Sequence, residues 1–156
     1  MQCIITNYTN CSNEEIKTIA SLIIRGGEVN TQTLDQKLRR AISIGVVKDN
    51  NKIIGTASIK LPKKTYLRNV FVKSNSETIQ EKFRYELGYI FVDPDYRGKH
   101  LGYSLCKCLI DSFGEHSLFA TTRTDNGPMR HILQLLGFQA TGNFYEGRNG
   151  VSAIQL

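Results

Sequence analysis

The sequence predicts a mixed α/β fold in a single domain that spans residues 1–156. Three observations predict this class. Apolar residues recur at helical spacing in some segments, β-branched residues alternate with other residues in a second set, and glycine or Asp-Pro stops separate the two. No internal repeat, low-complexity tract or flexible linker interrupts the order. The segments are therefore expected to pack as one mixed sheet with helices.

The amino-terminal third predicts one strand and two helices. Cys3–Tyr8 is the strand, and Ser12 followed by Glu15 is a capping box that begins the first helix. Gly26-Gly27 ends that helix. Thr33 followed by Gln36 begins the second helix, which is expected to reach Ile42.

The middle of the chain predicts a hairpin followed by a less regular stretch. Asp49-Asn50-Asn51 is a turn between strands at Ser43–Lys48 and Lys52–Lys60. In the next stretch, Tyr66–Lys73 is interpreted as extended because of its β-branched and aromatic residues. Ser76–Lys82 is interpreted as a short helical turn capped by Ser76.

The remaining elements follow a strand at Arg84–Val92. This strand ends at Asp93-Pro94, because proline cannot donate to a ladder and biases the preceding residue toward extended geometry. A helix then begins near Gly98 or Leu101 and ends at Gly114. The other predicted elements are a strand at Leu118–Thr122, a helix at Met129–Leu136 ended by Gly137, and strands at Phe138–Tyr145 and Val151–Leu156.

The composition is that of an ordinary globular chain, with 40% hydrophobic and 22% charged residues. Its longest apolar stretches, such as Tyr89–Val92, fall far short of the roughly 20 residues that cross a bilayer, so no membrane is expected as a partner. The residues after Met1 lack a secretory signal, which predicts a cytoplasmic protein. The cysteines contain no CxxC pair, so no metal is expected at Cys3, Cys11, Cys106 and Cys108.

The net charge of +6 favours a polyanionic ligand, which is a nucleic acid, an acidic protein or a phosphorylated cofactor. The basic residues are scattered, and the densest group lies between Lys60 and Lys73. This group matches no known reader motif, which argues against a nucleic-acid-binding domain.

The segment from Tyr89 to Leu105 predicts an anion site. A strand, a glycine-bearing loop and a helix start follow one another, so free backbone N–H groups and the positive end of the helix dipole point at one place. Gly98 and Gly102 let the backbone approach a phosphate, while Arg97 and Lys99 add positive charge. The Rossmann pattern GxGxxG and the Walker pattern GxxxxGK[ST] are both absent.

These motifs resemble the GNAT superfamily of acyl-CoA-dependent N-acetyltransferases, whose signature [RQ]xxGx[GA] follows a central strand. Arg97-Gly-Lys-His-Leu-Gly102 matches it at Arg97 and Gly102, whereas His100 replaces the middle glycine. This departure implies either a local conformation that tolerates a side chain or weaker cofactor binding. Downstream, Asn126 through Gly137-Phe138 is similar to the second family motif, an asparagine that begins a short helix ending in Gly-Phe.

The resemblance implies a largely antiparallel sheet of six to seven strands, splayed in the middle and flanked by about four helices. It implies acetyl-CoA as co-substrate and direct attack by a primary amine in a ternary complex. The backbone of Ile90, Phe91 and Val92 would pair with the pantetheine arm like an added strand. The other implied cofactor contacts are the pyrophosphate loop, formed by Arg97, Gly98, Lys99, His100, Leu101, Gly102 and Tyr103, and Asn126, for which a plain helix N-cap is the alternative.

The resemblance also implies where catalysis takes place. Glu86 lies four residues before Ile90, where some family members place a glutamate that acts as base through water; a plain exposed strand glutamate is the alternative. Strand alternation puts Glu86, Gly88, Ile90 and Val92 on one face. The main-chain N–H near Val92 is the expected oxyanion donor.

The usual general acid of the family is a tyrosine at a position that Leu133 occupies here. Tyr145 is the preferred substitute, with packing as its alternative role, and the other candidates are Tyr103, Tyr89 and His131. Acid catalysis is also dispensable if the thiolate leaves unprotonated.

The acceptor is a small-molecule or protein amine, and Glu28, Tyr66, Tyr85 and Glu86 are candidates for attracting it. Homodimers are common in the family, so a second copy of the chain is an expected partner. Two rival functions remain open. One is a non-catalytic CoA-binding regulatory module, which Leu133 and His100 suggest, and the other is the basic nucleic-acid-binding domain.

Overall fold

The computed structural model describes residues 1–156 and contains seven strands and five α-helices. Short 3-10 helices lie at Tyr8–Asn10, Thr31–Thr33, Glu77–Lys82 and Pro94–Tyr96. The strands are β1 (Gln2–Thr6), β2 (Ser43–Asp49), β3 (Lys52–Lys60), β4 (Tyr85–Val92), β5 (Leu118–Arg123), β6 (Ala140–Gly147) and β7 (Gly150–Gln155). The helices are α1 (Asn13–Arg25), α2 (Leu34–Arg39), α3 (Lys64–Lys73), α4 (Leu101–Phe113) and α5 (Gly127–Leu135).

The seven strands form a sheet in the order β1-β2-β3-β4-β5-β7-β6. The β1–β2, β2–β3, β5–β7 and β6–β7 pairs are antiparallel, whereas β4 and β5 are parallel. The parallel ladder consists of two residue pairs, Tyr85 with Leu118 and Glu86 with Phe119. The predicted mixed α/β class, with a largely antiparallel sheet, is confirmed.

Residue contacts divide the chain into two compact units. The first unit consists of Met1–Lys60 and Leu87–Glu115, and the second consists of Leu61–Glu86 and His116–Leu156. Strand β4 begins in the second unit and continues into the first.

The first unit is held by the apolar faces of α1 and α2 against β2, β3 and β4. Its helix α1 begins as predicted, because Ser12 Oγ accepts from Glu15 N at 3.1 Å and Ser12 N donates to Glu15 Oε2 at 2.9 Å. The β2–β3 turn also forms as predicted, with Asn50 and Asn51 at φ of 46° and 67°. The core consists of Ile19, Leu22, Ile23, Leu34, Leu38, Ile44, Val46, Ile53 and Phe91.

The second unit packs α3 against β5 and β7. Phe71 is fully buried and meets Phe119 edge-to-face, with ring centroids 5.3 Å apart. Leu67, Val70 and Ile154 complete this cluster. Strand β6 has a register irregularity between Thr141 and Tyr145, and within it Asn143 N donates to the Ser74 carbonyl at 2.8 Å.

The prediction of an extended segment at Tyr66–Lys73 is wrong, since these residues belong to helix α3. Leu67, Val70 and Phe71 have the i, i+3, i+4 spacing of a buried helical face. Their burial outweighs the weak strand preference of β-branched and aromatic residues. This helix raises the number of α-helices from the expected four to five.

Two predicted side-chain caps are also wrong. The 3-10 helix Glu77–Lys82 forms where the short helical turn was predicted, but Ser76 makes no cap hydrogen bond to it and its Oγ donates to the Ser74 carbonyl instead. Thr33 precedes α2 without capping it, because a 3-10 turn at Thr31–Thr33 leads directly into that helix. None of the helices has both the length and the hydropathy that a membrane span requires.

A substitution at Gly142 tests how closely β6 packs in the second unit. Its φ is +71°, and a Cβ there would collide with the Ser74 carbonyl oxygen and with Ser76 Oγ. Gly142→Ala is therefore expected to lower the free energy of unfolding by about 2 kcal/mol in urea unfolding. Gly127→Ala is the control, because a Cβ at Gly127 meets no atom within 4 Å. Equal stabilities of the two variants would contradict this packing.

Candidate active site

The loop between β4 and α4 is a short turn in the first unit, with two acidic residues, Asp93 and Asp95, followed by two basic residues, Arg97 and Lys99. Asp93 fixes its start: its N–H donates to the Ile54 carbonyl at 2.8 Å, and its carboxylate accepts from Arg25 Nη1 at 3.0 Å and from Asp95 N at 3.2 Å. The Arg25 guanidinium, followed by the Asp95 amide, lowers the pKa of Asp93. The loop that follows is exposed from Arg97 to His100.

Helix α4 presents unpaired amides at the end of this loop. Its first intrahelical hydrogen bond runs from Ser104 N to the His100 carbonyl at 3.0 Å, so the amides of Leu101, Gly102 and Tyr103 precede the helical ladder. A Cβ at Gly98, whose φ is +78°, would meet no atom within 4 Å, which leaves room for a ligand. These amides, with the Arg97 and Lys99 side chains, fit the pyrophosphate of coenzyme A.

His100 occupies the position where the family signature has its middle glycine. It is the N-cap of α4 and adopts φ of 56° and ψ of 16°, the left-handed region that favours glycine. The chain thus places a side chain in a backbone conformation that strains it. The local conformation therefore holds a side chain at a steric cost, and the effect of this departure on cofactor binding stays a prediction.

The carboxyl-terminal half of β4 has one edge paired with β3 and one edge directed away from it. Asp93 N bonds to β3, and backbone groups alternate along a strand, so the groups of Val92 point to the other edge. Arg97 Nε donates to the Val92 carbonyl at 3.1 Å, and its guanidinium lies 5.5 Å from the centre of the Phe91 ring. Phe91 itself is buried in the core of the first unit, whereas Ile90 and Val92 are half-buried.

Tyr89 interrupts β4 with a φ of +54°. A bulky residue in this region is an outlier, and such residues collect at bulges and functional sites. Because an extended residue has negative φ, strand alternation does not continue through Tyr89. The prediction that Glu86, Gly88, Ile90 and Val92 share one face is therefore wrong beyond Gly88.

Glu86 is the centre of a buried polar cluster in the second unit. Glu86 is only 2% exposed, so the alternative of a plain exposed strand glutamate is wrong. Tyr66 OH and Thr121 Oγ1 both donate to Glu86 Oε1, each at 3.2 Å. Burial, followed by the charge of Glu86, raises the pKa of Tyr66 well above its usual value, so its phenol stays a donor. The cluster joins α3, β4 and β5.

Tyr145 lies close enough to Glu86 for the charge of Glu86 to raise its pKa. It packs against the core of the second unit, and burial, followed by the charge of Glu86, raises its pKa to about 12. Leu133, at the usual position of the family's acid, is 1% exposed and serves as a core residue. Among the other candidate acids, Tyr103 lies in the first turn of α4, Tyr89 forms the break in β4, and His131 is exposed on α5.

Asn126 is the N-cap of α5, as the alternative role proposed. Its Oδ1 accepts from Met129 N at 3.2 Å, so the side-chain oxygen is engaged in the helix and the amide nitrogen is the group left to meet a cofactor. No three side chains of His, Cys, Asp or Glu come together as a metal site. All four cysteines are thiols, and burial raises the pKa of Cys106 to about 12.

Two members of the site were not predicted from the sequence. Thr121 is one polar residue in an ordinary strand, and only the fold brings it to Glu86 across 35 positions. The left-handed conformation of Tyr89 is rare for a bulky residue, and the one local signal of a bulge there is the neighbouring Gly88 inside the strand. Tyr66 was a candidate for attracting the amine, but its hydrogen bond to Glu86 requires helix α3, which was predicted as extended.

The mixed sheet and the charged loop before α4 are the features that the sequence resemblance implies for an acyl-CoA-dependent acyltransferase. A model of the acetyltransferase (GNAT) family matches residues 25–138, which is well over half of the chain. The chain belongs to this family. The resemblance found in the Arg97–Gly102 and Asn126–Phe138 motifs is thereby confirmed.

Similar proteins agree with this assignment at the level of fold. The ribosomal-protein-S18-alanine N-acetyltransferase of Escherichia coli has a TM-score of 0.67 at 19% identity, and the alignment covers 99% of this chain and 92% of that one. The protein yncA of Salmonella typhimurium, whose structure contains its cofactor acetyl-CoA, has a TM-score of 0.67 at 17% identity, with 100% and 94% covered.

A sequence relative is matched over a shorter range. An uncharacterized protein of Mycobacterium leprae (strain TN) is 37% identical over 60 residues, which are 38% of this chain. The match spans only 17% of the length of that protein.

The strain at His100 leads to a stability prediction. His100→Gly is expected to raise the free energy of unfolding by up to about 1 kcal/mol, because glycine adopts φ of +56° without the steric cost of a Cβ. His100→Val is expected to lower it by about 1 kcal/mol or more, because a β-branched residue fits this region worst. Urea unfolding measures both, and a His100→Gly variant as destabilised as His100→Val would contradict the left-handed assignment.

Proposed function

We propose that the chain is an N-acetyltransferase that moves the acetyl group of acetyl-CoA to a primary amine, with residues 1–156 acting as a single domain. Family membership supports acyl transfer, and the observation that carries the finer proposal is the buried, doubly hydrogen-bonded carboxylate of Glu86. It lies on the strand that continues into the phosphate-binding loop. A cytoplasmic location and a homodimer remain predictions.

The cofactor is proposed to lie against the first unit's β4 edge and α4. The amides of Leu101, Gly102 and Tyr103, with Arg97, Lys99 and the open backbone at Gly98, would hold its pyrophosphate. The backbone of Ile90 and Val92 would pair with the pantetheine arm, while Phe91 supports the strand from the core. Acetyl-CoA supplies an acyl group activated as a thioester. The Asn126 amide nitrogen and the exposed His100 ring are the remaining proposed contacts.

Glu86 is proposed as the general base. A primary amine is protonated near neutral pH and attacks only after losing a proton, which the Glu86 carboxylate would accept through water. Tyr66 and Thr121 hold Oε1, so the carboxylate keeps one orientation without rotamer freedom. The amine nitrogen then forms the new C–N bond as the C–S bond breaks.

Negative charge develops on the carbonyl oxygen and on the departing sulfur, and we assign one further group to each. The main-chain N–H near Val92 would donate to the carbonyl oxygen as negative charge develops there, and a fixed amide does so without reorganisation. Tyr145 would donate its phenolic proton to the departing sulfur. Its pKa of about 12 keeps it protonated at neutral pH, which an acid requires.

Glu86→Gln separates this enzyme from a non-catalytic CoA-binding module. The substitution preserves shape but removes the base, so kcat is expected to fall by about 10²- to 10⁴-fold. Calorimetry is expected to show the acetyl-CoA Kd unchanged. Glu81→Gln, at an exposed position of the same unit, is the matched control and is expected to keep full kcat. A Glu86→Gln enzyme with near-normal kcat would contradict the proposed base.

Tyr145→Phe tests the proposed acid while keeping the ring that packs in the core. We expect kcat to fall by about 10- to 100-fold because the leaving sulfur loses its proton donor. In the unchanged enzyme, the pKa of about 12 predicts no loss of kcat from this group as pH rises through the mildly alkaline range. The control is Tyr8→Phe, which removes an exposed hydroxyl bonded to Asp35. A Tyr145→Phe enzyme with normal kcat would assign Tyr145 to packing.

A further inference from the structure

Helix α3 carries four exposed cations that no carboxylate neutralises. Lys63, which caps the helix, and Lys64, Arg68 and Lys73 are exposed and form no ion pair, and no acidic residue occurs between Lys60 and Ser76. Four cations of the first unit, by contrast, are paired with carboxylates: Arg25 with Asp93, Arg39 with Asp35, Lys48 with Glu15, and Lys107 with Asp111. The positive charge of α3 is therefore directed at solvent.

Tyr66 connects this helix to the proposed base. Its hydroxyl donates to Glu86 Oε1 at 3.2 Å, while the residue as a whole remains 40% exposed. One end of the side chain thus touches the buried carboxylate and the rest of it reaches the surface of α3. A molecule whose amine approaches Glu86 past Tyr66 must lie near the exposed residues of this helix.

Helical spacing decides which cations flank Tyr66. Lys63 precedes it by three residues and Lys73 follows it by seven, so both lie on its side of α3, about 4.5 and 10 Å away along the axis. Asn69 lies between them and is also exposed. We call these four residues, Lys63, Tyr66, Asn69 and Lys73, the Tyr66 stripe. Lys64 and Arg68 lie on the opposite side of the helix.

We infer that the acceptor is the amine of an acidic polypeptide segment, whose carboxylates pair with Lys63 and Lys73 while its ammonium reaches Glu86. This inference rests on the proposed function and names its substrate class. Opposite charges steer such a segment to the stripe and set its direction. Polyamines and other polycationic acceptors are disfavoured, because the cations of the stripe repel every positive charge of the acceptor other than the ammonium that Glu86 receives. A nucleic acid has the required charge but no aliphatic amine.

Binding is tested first, independently of turnover, by fluorescence anisotropy in the presence of coenzyme A. The probes are a short peptide with a free amino terminus followed by aspartate and glutamate, and the same peptide with those residues replaced by lysine. We expect the acidic peptide to bind at least about tenfold more tightly, with an affinity that falls as salt rises. An equal affinity for the two peptides would overturn the inference.

Paired charge reversals locate the effect on the helix. Lys63→Glu with Lys73→Glu is expected to weaken binding of the acidic peptide, and to lower kcat/KM for its acetylation, by about tenfold. Lys64→Glu with Arg68→Glu changes the net charge equally on the other side of α3 and is expected to have a several-fold smaller effect. Equal losses in both double variants would show a response to overall charge and would contradict docking on the Tyr66 stripe.

The proposed function and this inference fail in different ways. If the enzyme acetylates amines but acidic peptides, basic peptides and spermidine are used alike, the acidic-segment inference is wrong and the acetyltransferase stands. If acidic peptides bind the stripe but no amine is acetylated, the proposed function is wrong. Tight, salt-dependent binding of a single-stranded RNA with no preference for acidic peptides would assign the stripe to nucleic acid and overturn the inference.

Discussion

The buried carboxylate of Glu86 is the constraint on which the second unit depends. Removing an ionised carboxylate from water costs several kcal/mol unless hydrogen bonds replace its hydration. Tyr66 and Thr121 provide two such bonds, and they come from α3 and β5. These donors reach Glu86 only when Phe71 and Phe119 pack the helix on the strand. The apolar core of this unit thus maintains a polar cluster that stability alone would not require.

The first unit has a second kind of cost, which is backbone strain. Tyr89 and His100 both adopt positive φ, one inside β4 and the other at the N-cap of α4. Left-handed geometry costs each non-glycine residue about 1 to 2 kcal/mol. Tyr89 directly precedes the strand residues to which we assign the pantetheine contacts, and His100 lies within the loop to which we assign the pyrophosphate contacts. Strain beside and within a proposed ligand site is consistent with backbone that is shaped for binding rather than for the strand and helix themselves.

Much of the fold follows from local signals in the sequence. These signals act between residues close in sequence: the Ser12–Glu15 capping box, the Asn50-Asn51 turn, and the glycines Gly114 and Gly137 that end helices. Each helix or strand that they delimit forms where it is expected. Helix α3 was missed because its β-branched and aromatic residues favour strands locally. Its spacing of Leu67, Val70 and Phe71 was the available signal, and burial of that face decides the conformation.

The candidate site was predictable only in part, for the same physical reason. The loop from Arg97 to Gly102 is contiguous, so its motif could be recognised from the sequence. The Glu86 cluster unites residues 20 and 35 positions apart, and only tertiary packing brings them together. Asn126 shows the reverse case, since its cap on α5 is a local role that the sequence offered and the structure displays.

The measurement that tests the central claim most directly is a calorimetric titration of the protein with acetyl-CoA, with coenzyme A and NAD as comparison ligands. The account predicts one-to-one binding of acetyl-CoA and coenzyme A with micromolar Kd, which corresponds to about 8 kcal/mol, and no comparable binding of NAD. Absence of acetyl-CoA binding, or equal binding of NAD, would contradict the assignment of the β4–α4 loop as the site of this cofactor.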